Sequence, residues 1–227
     1  MRVRLSTCRG SVGVFDDAEK AVYNVHVAVY VVHMVEWGTA ERIAAAALAI
    51  LLREGAQAVT MRRVAADAGV TTMASYRHYP NRDGLLRAVV DAAFADLGNA
   101  WGKRVREVDF EARFYGLLDD FLDFALGKPN LYRFLITDRR EGVRRFPEDF
   151  RAGRSPAFTP VIDVVEQGMR DGVLRADDPL EAALAITMPV MGLVQLYLGG
   201  RMGMSERDFR ALCRRTVGRV LDGTAST

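Results

Sequence analysis

The sequence predicts an all-α fold made of an N-terminal three-helix unit followed by a larger C-terminal helical bundle. From Gly38 onward, apolar residues recur at three- and four-residue spacing, which is the period of amphipathic helices. The strand-like alternation of valines in residues 25–31 has no second strand to pair with, and a lone strand is unstable. Half of the 227 residues are hydrophobic, which is enough for a large core.

Composition and motifs exclude several classes of protein. A net charge of +2 gives no chain-wide attraction to nucleic acid or membrane, so such binding would need a local patch. Cys8 and Cys213 lie far apart without a CxxC pair, which argues against a disulfide framework or a zinc site. His26, His33 and His78 have no ligand-spaced partners, and the GxSxG and GxGxxG motifs do not occur. We therefore expect a cytoplasmic protein that is not an enzyme and uses neither a cofactor nor a metal.

Residues 1–37 do not fit the helical pattern. An acidic cluster separates the first arginines from an apolar run over residues 25–35, and that run is too short to span a bilayer. The same cluster argues against a signal peptide, which remains a minor alternative. We interpret residues 1–37 as a disordered extension, or as the product of a mis-annotated start codon with translation beginning near Met34.

Three helices are predicted within residues 38–86. The first ends at Gly55, which suits a helix C-terminal cap. Thr60 can cap the second helix, which Gly69 interrupts after about two turns. Thr71 can cap the third, which must end before Pro80. The second and third helices are thus short and joined by a glycine turn.

The glycine turn has the spacing of a helix-turn-helix, in which the second helix enters the major groove of DNA. Thr72, Met73 and Arg77 project near one another from that helix. Residues 37–87 contain seven arginines against four acidic residues, a local charge of +3. An ordinary helical corner with solvated arginines would show the same spacing, so spacing alone leaves both interpretations open. The groups suited to phosphate contact are Arg62, Tyr76, His78 and Arg82.

Residues 60–86, TMRRVAADAGVTTMASYRHYPNRDGLL, resemble the N-terminal signature of the TetR family of transcriptional regulators. The resemblance implies an all-helical homodimeric repressor that binds palindromic double-stranded operator DNA through residues 38–86 and a small effector through its C-terminal domain. Met73 stands where this family commonly has glycine, and Ser75 where it usually has a buried leucine or isoleucine. These departures keep open an alternative, a small-molecule-binding helical dimer without specific operator recognition. The operator-contacting positions that the resemblance implies are Arg62, Thr72, Met73, Ala74, Tyr76, Arg77, His78 and Arg82.

Residues 87–222 are expected to form the effector-binding and dimerisation domain, and residues 223–227 a disordered tail. A fourth helix opens at Asn81 or Asp83 and is expected to reach about Arg106. Apolar helices follow over residues 110–127 and after Pro129. Arginine-rich residues 138–155 are predicted to be a mobile solvated loop, with a second nucleic-acid patch as the minor alternative. The next helix begins at Pro156 or Ala157 and ends near Met169.

Residues 182–200 carry no charge and are long enough to cross a membrane. Thr187, Pro189 and Gln195 interrupt this run, which argues against a membrane span. A helix that is apolar all round in a soluble protein is buried against its own core and against a partner chain. Together with the last helix, over residues 205–221, this apolar helix predicts a dimer interface of four helices, two from each chain.

Aromatic and methionine side chains with few polar groups suit a small apolar effector. Bound within the bundle, such an effector would change the separation of the two recognition helices through the fourth helix and so lower operator affinity. For each of these side chains, ordinary packing in the protein core is the simpler interpretation. A helical hydrolase or carrier that has the same helical corner is a further alternative. The candidate effector-binding residues are Trp101, Phe121, Phe124, Tyr132, Met188, Met191, Gln195 and Tyr197.

Overall fold

A computed structural model describes residues 38–103, 109–137 and 144–225. Within these ranges the chain forms helices, with one isolated backbone bridge between Leu174 and Ala225. The prediction of an all-α fold is confirmed. The interpretation of residues 1–37 lies outside the described residues.

The N-terminal unit contains three helices, and their caps are those that the sequence predicts. The Thr60 hydroxyl accepts a hydrogen bond from the Arg63 amide, and the Thr71 hydroxyl accepts one from the Ala74 amide. A 3-10 turn over Ala56–Ala58 joins the first two helices. The helices are α1 (Thr39–Glu54), α2 (Met61–Asp67) and α3 (Thr72–His78).

Seven further helices form the rest of the described chain. The Asn81 side chain caps the first of them by accepting a hydrogen bond from the Gly84 amide at 2.7 Å. This α-helix ends at Trp101 with Gly102 as its C-cap, and the end near Arg106 that the sequence predicts lies outside the described residues. The helices are α4 (Arg82–Trp101), α5 (Phe110–Gly127), α6 (Pro129–Ile136), α7 (Glu148–Arg151), α8 (Thr159–Arg170), α9 (Pro179–Leu198) and α10 (Glu206–Thr224).

Residues 144–155 are not the plain loop that the sequence predicts, although most of them are exposed. They include α7, and Arg154 forms an ion pair with Asp149 at 2.6 Å. Arg151 pairs with Asp178, the N-cap of α9, at 2.8 Å. The Arg144 guanidinium lies 4.7 Å from the centre of the Phe94 ring on α4. Arg144 and Arg151 therefore attach this segment to α4 and to the start of α9.

The prediction of a disordered tail is wrong for residues 223–225. The apolar stripe of α10 ends at Leu221, which is why the sequence placed the end of the helix there. The helix instead continues to Thr224, whose carbonyl accepts a hydrogen bond from the Arg175 amide at 2.9 Å. Ala225 then pairs with Leu174.

Helix α1 connects the N-terminal unit to the bundle. It packs against α2, α3 and α4, and on another side against α6. The Asn130 amide group, in the first turn of α6, donates a hydrogen bond to the Leu52 carbonyl near the end of α1 at 3.0 Å. The two units thus share a buried core in addition to the continuous helix α4.

Helix α9 is long and apolar enough to cross a membrane, the only such helix among the described residues. Length and composition alone are weak evidence, because the core helix of a soluble protein has the same properties. One side of α9 packs against α8 and α10, and buries Ile186, Val190 and Val194. Its other side is exposed in the single chain.

Helices α5 and α8 make their closest approach at Gly168. A Cβ atom at this position would lie 2.7 Å from the Phe110 ring and 3.2 Å from the Leu174 side chain. Both neighbours are buried, so they have little room to move away. Glycine is therefore required here by packing.

We predict that Gly168→Ala lowers the free energy of unfolding by about 1–3 kcal/mol, since the overpacking exceeds the gain in helix propensity. Urea denaturation followed by circular dichroism measures this change. Gly223→Ala is the matched control, because a Cβ at Gly223 in α10 meets no atom within 4 Å. Equal stability of the two variants would contradict the prediction.

Candidate DNA-binding surface and effector region

The turn between α2 and α3 is held by backbone hydrogen bonds and by Arg42 of α1. Gly69 has φ 65°, a left-handed conformation that glycine adopts without strain. The Arg42 guanidinium donates to the Ala68 carbonyl at 2.6 Å and to the Gly69 carbonyl at 3.3 Å. These bonds satisfy carbonyls that the end of a short helix leaves without partners. This role cannot be recognised from the sequence, in which Arg42 is only one of several positive charges.

Helix α3 presents an exposed face made of residues that the sequence singled out. Met73 is 69% exposed and Tyr76 is 46% exposed. Arg77 and His78 are also exposed, and Arg62 lies exposed in the first turn of α2. The half-buried members of the predicted set are Thr72 and Ala74.

Ser75, on the opposite side of α3, is completely buried. Its hydroxyl donates a hydrogen bond to the Thr72 carbonyl at 2.7 Å. The polar group is thereby satisfied within its own helix, so its burial leaves no unpaired donor. Ser75 supports the recognition helix from beneath, and it is hidden from any DNA that contacts the outer face.

The Arg82 guanidinium makes hydrogen bonds within the N-terminal unit. Its Nε donates to the Val59 carbonyl at 2.7 Å, and its Nη2 donates to the Ala56 carbonyl at 2.5 Å. Its remaining nitrogen faces Asp83 at 3.4 Å. Through these contacts Arg82 ties the start of α4 to the connection before α2, and its contact with phosphate stays a prediction.

Among the other arginines of the N-terminal unit, some bind neighbouring residues and others are exposed without a partner among the described residues. Arg63 forms an ion pair with Glu54 at 2.5 Å, and its hydrogen bonds lower the pKa of Glu54 to about 2. Within the described part of the chain, Arg62 and Arg77 form neither a hydrogen bond nor an ion pair. The positive charge available to a ligand at this surface is therefore concentrated on these two arginines.

Tyr79 fixes the end of α3 against α1. Its hydroxyl donates a hydrogen bond to the Ala40 carbonyl at 3.2 Å. Burial, with a smaller effect of Glu41, raises the pKa of Tyr79, so the hydroxyl stays protonated and able to donate. Arg42 and Tyr79 thus hold the turn before α3 and the end of α3 on α1.

Half of the predicted effector-binding residues form one aromatic cluster, which we define as Trp101, Phe121, Phe124 and Tyr132. The Trp101 ring meets both phenylalanine rings edge to face at 6.4 Å, and Tyr132 meets them at 6.0 and 6.2 Å. The Gln195 amide of α9 donates to the Tyr132 hydroxyl at 3.3 Å. The aromatic cluster thus joins the end of α4 to α5, α6 and α9.

The remaining candidates, Tyr197, Met188 and Met191, all lie on α9. Tyr197 stacks on Phe209 of α10 with 4.1 Å between ring centres, and so belongs to the α9–α10 contact instead. Met188 and Met191 share a face of α9 with Gln195, and Met188 is exposed there. A groove of about 440 Å³ that the sequence did not reveal lies between α4 and the start of α8, lined by Ala95, Gly98, Asn99, Gly153, Pro156, Thr159 and Pro160.

Two family models match the chain. "Bacterial regulatory proteins, tetR family" matches residues 43–89, and "Tetracyclin repressor-like, C-terminal domain" matches residues 114–220. The nucleoid occlusion factor SlmA of Pasteurella multocida is 34% identical over 82 residues, which are 36% of this chain and 41% of SlmA. The match thus spans about two fifths of the length of that relative.

Solved structures share the architecture at low sequence identity. A protein of unknown function from Rhodococcus sp. RHA1 has a TM-score of 0.70 and 22% identity, with 84% of this chain and 97% of that chain covered. The regulator FadR of Bacillus subtilis, solved with stearoyl-CoA, has a TM-score of 0.65 and 14% identity, with coverages of 81% and 98%.

The fold and the two family models define a helix-turn-helix DNA-binding regulator with a tetracycline-repressor-like C-terminal helical domain. The chain belongs to the TetR family of transcriptional regulators. Both matching models describe domains of transcriptional regulators. Groups of three or more potential metal-ligating side chains do not occur among the described residues.

The contacts of Arg77 and Arg82 predict different defects. Arg77→Ala should weaken binding to specific DNA by about 1–3 kcal/mol, or roughly 5–150-fold in Kd, with the stability unchanged. Arg82→Ala should lower the free energy of unfolding by about 1–3 kcal/mol, because two carbonyls lose a charged donor. Fluorescence anisotropy and urea denaturation measure the two effects. Loss of stability in Arg77→Ala, or none in Arg82→Ala, would contradict this division of roles.

Proposed function

We propose that this protein is a cytoplasmic transcriptional repressor that leaves a palindromic operator when a small, mainly apolar effector binds its C-terminal domain. The exposed face of α3 carries the proposal: Tyr76, Arg77 and His78 project from a helix whose ends are anchored to α1. We assign base contact to Thr72, Met73, Ala74 and Arg77, and phosphate contact to Arg62, Tyr76 and His78. The Met73 side chain suits contact with thymine methyl groups.

Dimerisation is expected through the exposed side of α9. Ala185, Met188, Pro189, Gly192 and Leu196 lie on this side at helical spacing, and none is charged. A contiguous apolar surface of this kind favours burial against a second copy of the same chain. A twofold dimer would present two α3 helices to successive major grooves, about 34 Å apart.

The aromatic cluster is the proposed body of the effector site. It contacts the two elements that lead to the DNA-binding unit, because Trp101 ends α4 and Tyr132 lies in α6 beside Asn130. An effector that separates the rings would displace both helices relative to α1. A hundredfold preference for the displaced form supplies about 2.7 kcal/mol against operator binding. FadR, which has the same fold, was solved in complex with stearoyl-CoA, and this supports an effector with a long apolar part.

The second candidate function is a small-molecule-binding dimer without specific operator recognition. The observation that favours it is Met73, whose flexible thioether occupies the most exposed position of α3. This protein would bind effectors but would not distinguish one DNA fragment from another.

Fluorescence anisotropy with tiled fragments of the DNA that flanks the coding region tests the two functions. The purified protein is titrated at two salt concentrations with scrambled DNA as competitor. A repressor should bind one fragment specifically, with an affinity that falls steeply as salt increases, and Arg77→Ala should lose this preference. Equal binding of all fragments, including genomic fragments beyond the flanking region, would favour the second function.

The dimer surface is tested by placing a charge on it. Leu196 on α9 is 42% exposed, and Ile136 at the end of α6 is 38% exposed. Leu196→Glu should convert the dimer to monomers and weaken operator binding, because the carboxylate would be buried between two copies. The matched control Ile136→Glu should stay dimeric. Sedimentation velocity measures the outcome, and a dimeric Leu196→Glu variant would place the interface elsewhere.

A further inference from the structure

Arg113 on α5 is a buried cation to which the proposed function gives no role. Its side chain is 7% exposed, and it is the only charged residue among the buried polar residues of the described chain. Its Nε is buried without a hydrogen-bond partner. In the part of the chain that the structure describes, its guanidinium forms no hydrogen bond or ion pair.

A cation in this position is costly unless an anion accompanies it, because burial removes its hydration. Two carboxylates of the same helix pair with arginines of α10. Asp119 binds Arg214 at 2.8 Å, and Asp123 binds Arg210 at 2.7 Å. These pairs attach α10 to α5 and leave Arg113 without a counter-ion from the described protein.

The position of Arg113 places it in line with the aromatic cluster. Leu117 and Phe124 follow it on the same face of α5, and Phe121 lies beside them. A helix rises about 1.5 Å per residue, so about 12–16 Å of helix axis separates Arg113 from Phe121 and Phe124. One turn before Arg113, Phe110 packs against Gly168 and closes that end of the face. The face thus has a cationic end and an aromatic end.

We infer that Arg113 binds the anionic group of the effector, a carboxylate or a phosphate, while the apolar body of the same molecule reaches the aromatic cluster. The inference rests on the proposed function and specifies its ligand as an amphipathic anion roughly 12–16 Å long. The planar guanidinium can form two parallel hydrogen bonds to either anion. The ligand therefore supplies the charge partner that the described residues do not.

Binding is measured through Trp101 fluorescence in a Trp37→Phe background, since the sequence contains only these two tryptophans. The probes are decanoate, decyl phosphate and decanol, each below its micelle concentration. At least one anionic probe should bind tenfold or more tightly than decanol, and the order of the two anions distinguishes a carboxylate ligand from a phosphate ligand. Arg113→Met should remove this preference, and Arg113→Lys should retain part of it. The control Arg170→Met, at an exposed arginine of α8, should leave the preference unchanged.

Thermal unfolding without ligand gives a second, independent measurement. Arg113→Met should raise Tm, because it removes an unpaired buried charge, whereas a lower Tm would overturn the inference. Equal binding of decanol and both anions, or a preference that survives Arg113→Met, would also overturn it while leaving the apolar effector site intact. If none of the three probes binds, the result contradicts both the role of Arg113 and the proposal of an apolar effector. Operator binding is measured separately by anisotropy, so a failure of DNA recognition is distinguishable from each of these results.

Discussion

Short helices leave most of their terminal carbonyls without intrahelical partners, and the N-terminal unit depends on side chains that supply the missing donors. Arg42 donates to the end of α2, and Arg82 donates to the connection before α2. Asn130 donates to the end of α1. These donors hold α2 and α3 at a fixed angle, so that one face of α3 is free of internal contacts and available for DNA.

The same requirement connects DNA recognition to the C-terminal domain. Asn130 satisfies a carbonyl of α1, and Tyr132 in the same short helix belongs to the aromatic cluster. Trp101 links that cluster to α4, which begins at Arg82 beside the helix-turn-helix. A change in the packing of the rings would therefore shift α1 and α4 together. One route runs along the continuous helix α4 and the other through the contact of α6 with α1, and these contacts are the physical basis of the proposed linkage.

The charges of the bundle fall into groups with distinct roles. Arg210 and Arg214 pair with carboxylates of α5, and Arg144 and Arg151 attach residues 144–155 to α4 and α9. Exposed pairs of this kind contribute little free energy individually, and their effect is to fix which surfaces meet. Arg113 differs because it is buried without a partner. The uncharged outer side of α9 differs again, since it presents apolar surface to solvent in the single chain.

The sequence by itself determined the all-α class, the helix caps at Thr60 and Thr71, and the exposed face of α3. Caps and helical periodicity act between residues three or four positions apart, so they can be recognised without knowing the fold. Only the tertiary structure decided the roles of Arg82 and Asn130, whose partners lie 23–26 and 78 positions away. It also assigned Tyr197 to Phe209 instead of the other predicted effector residues, and it left Arg113 buried without a partner. Such contacts depend on how helices pack, and local pattern carries no information about which distant carbonyl, ring or carboxylate a side chain will meet.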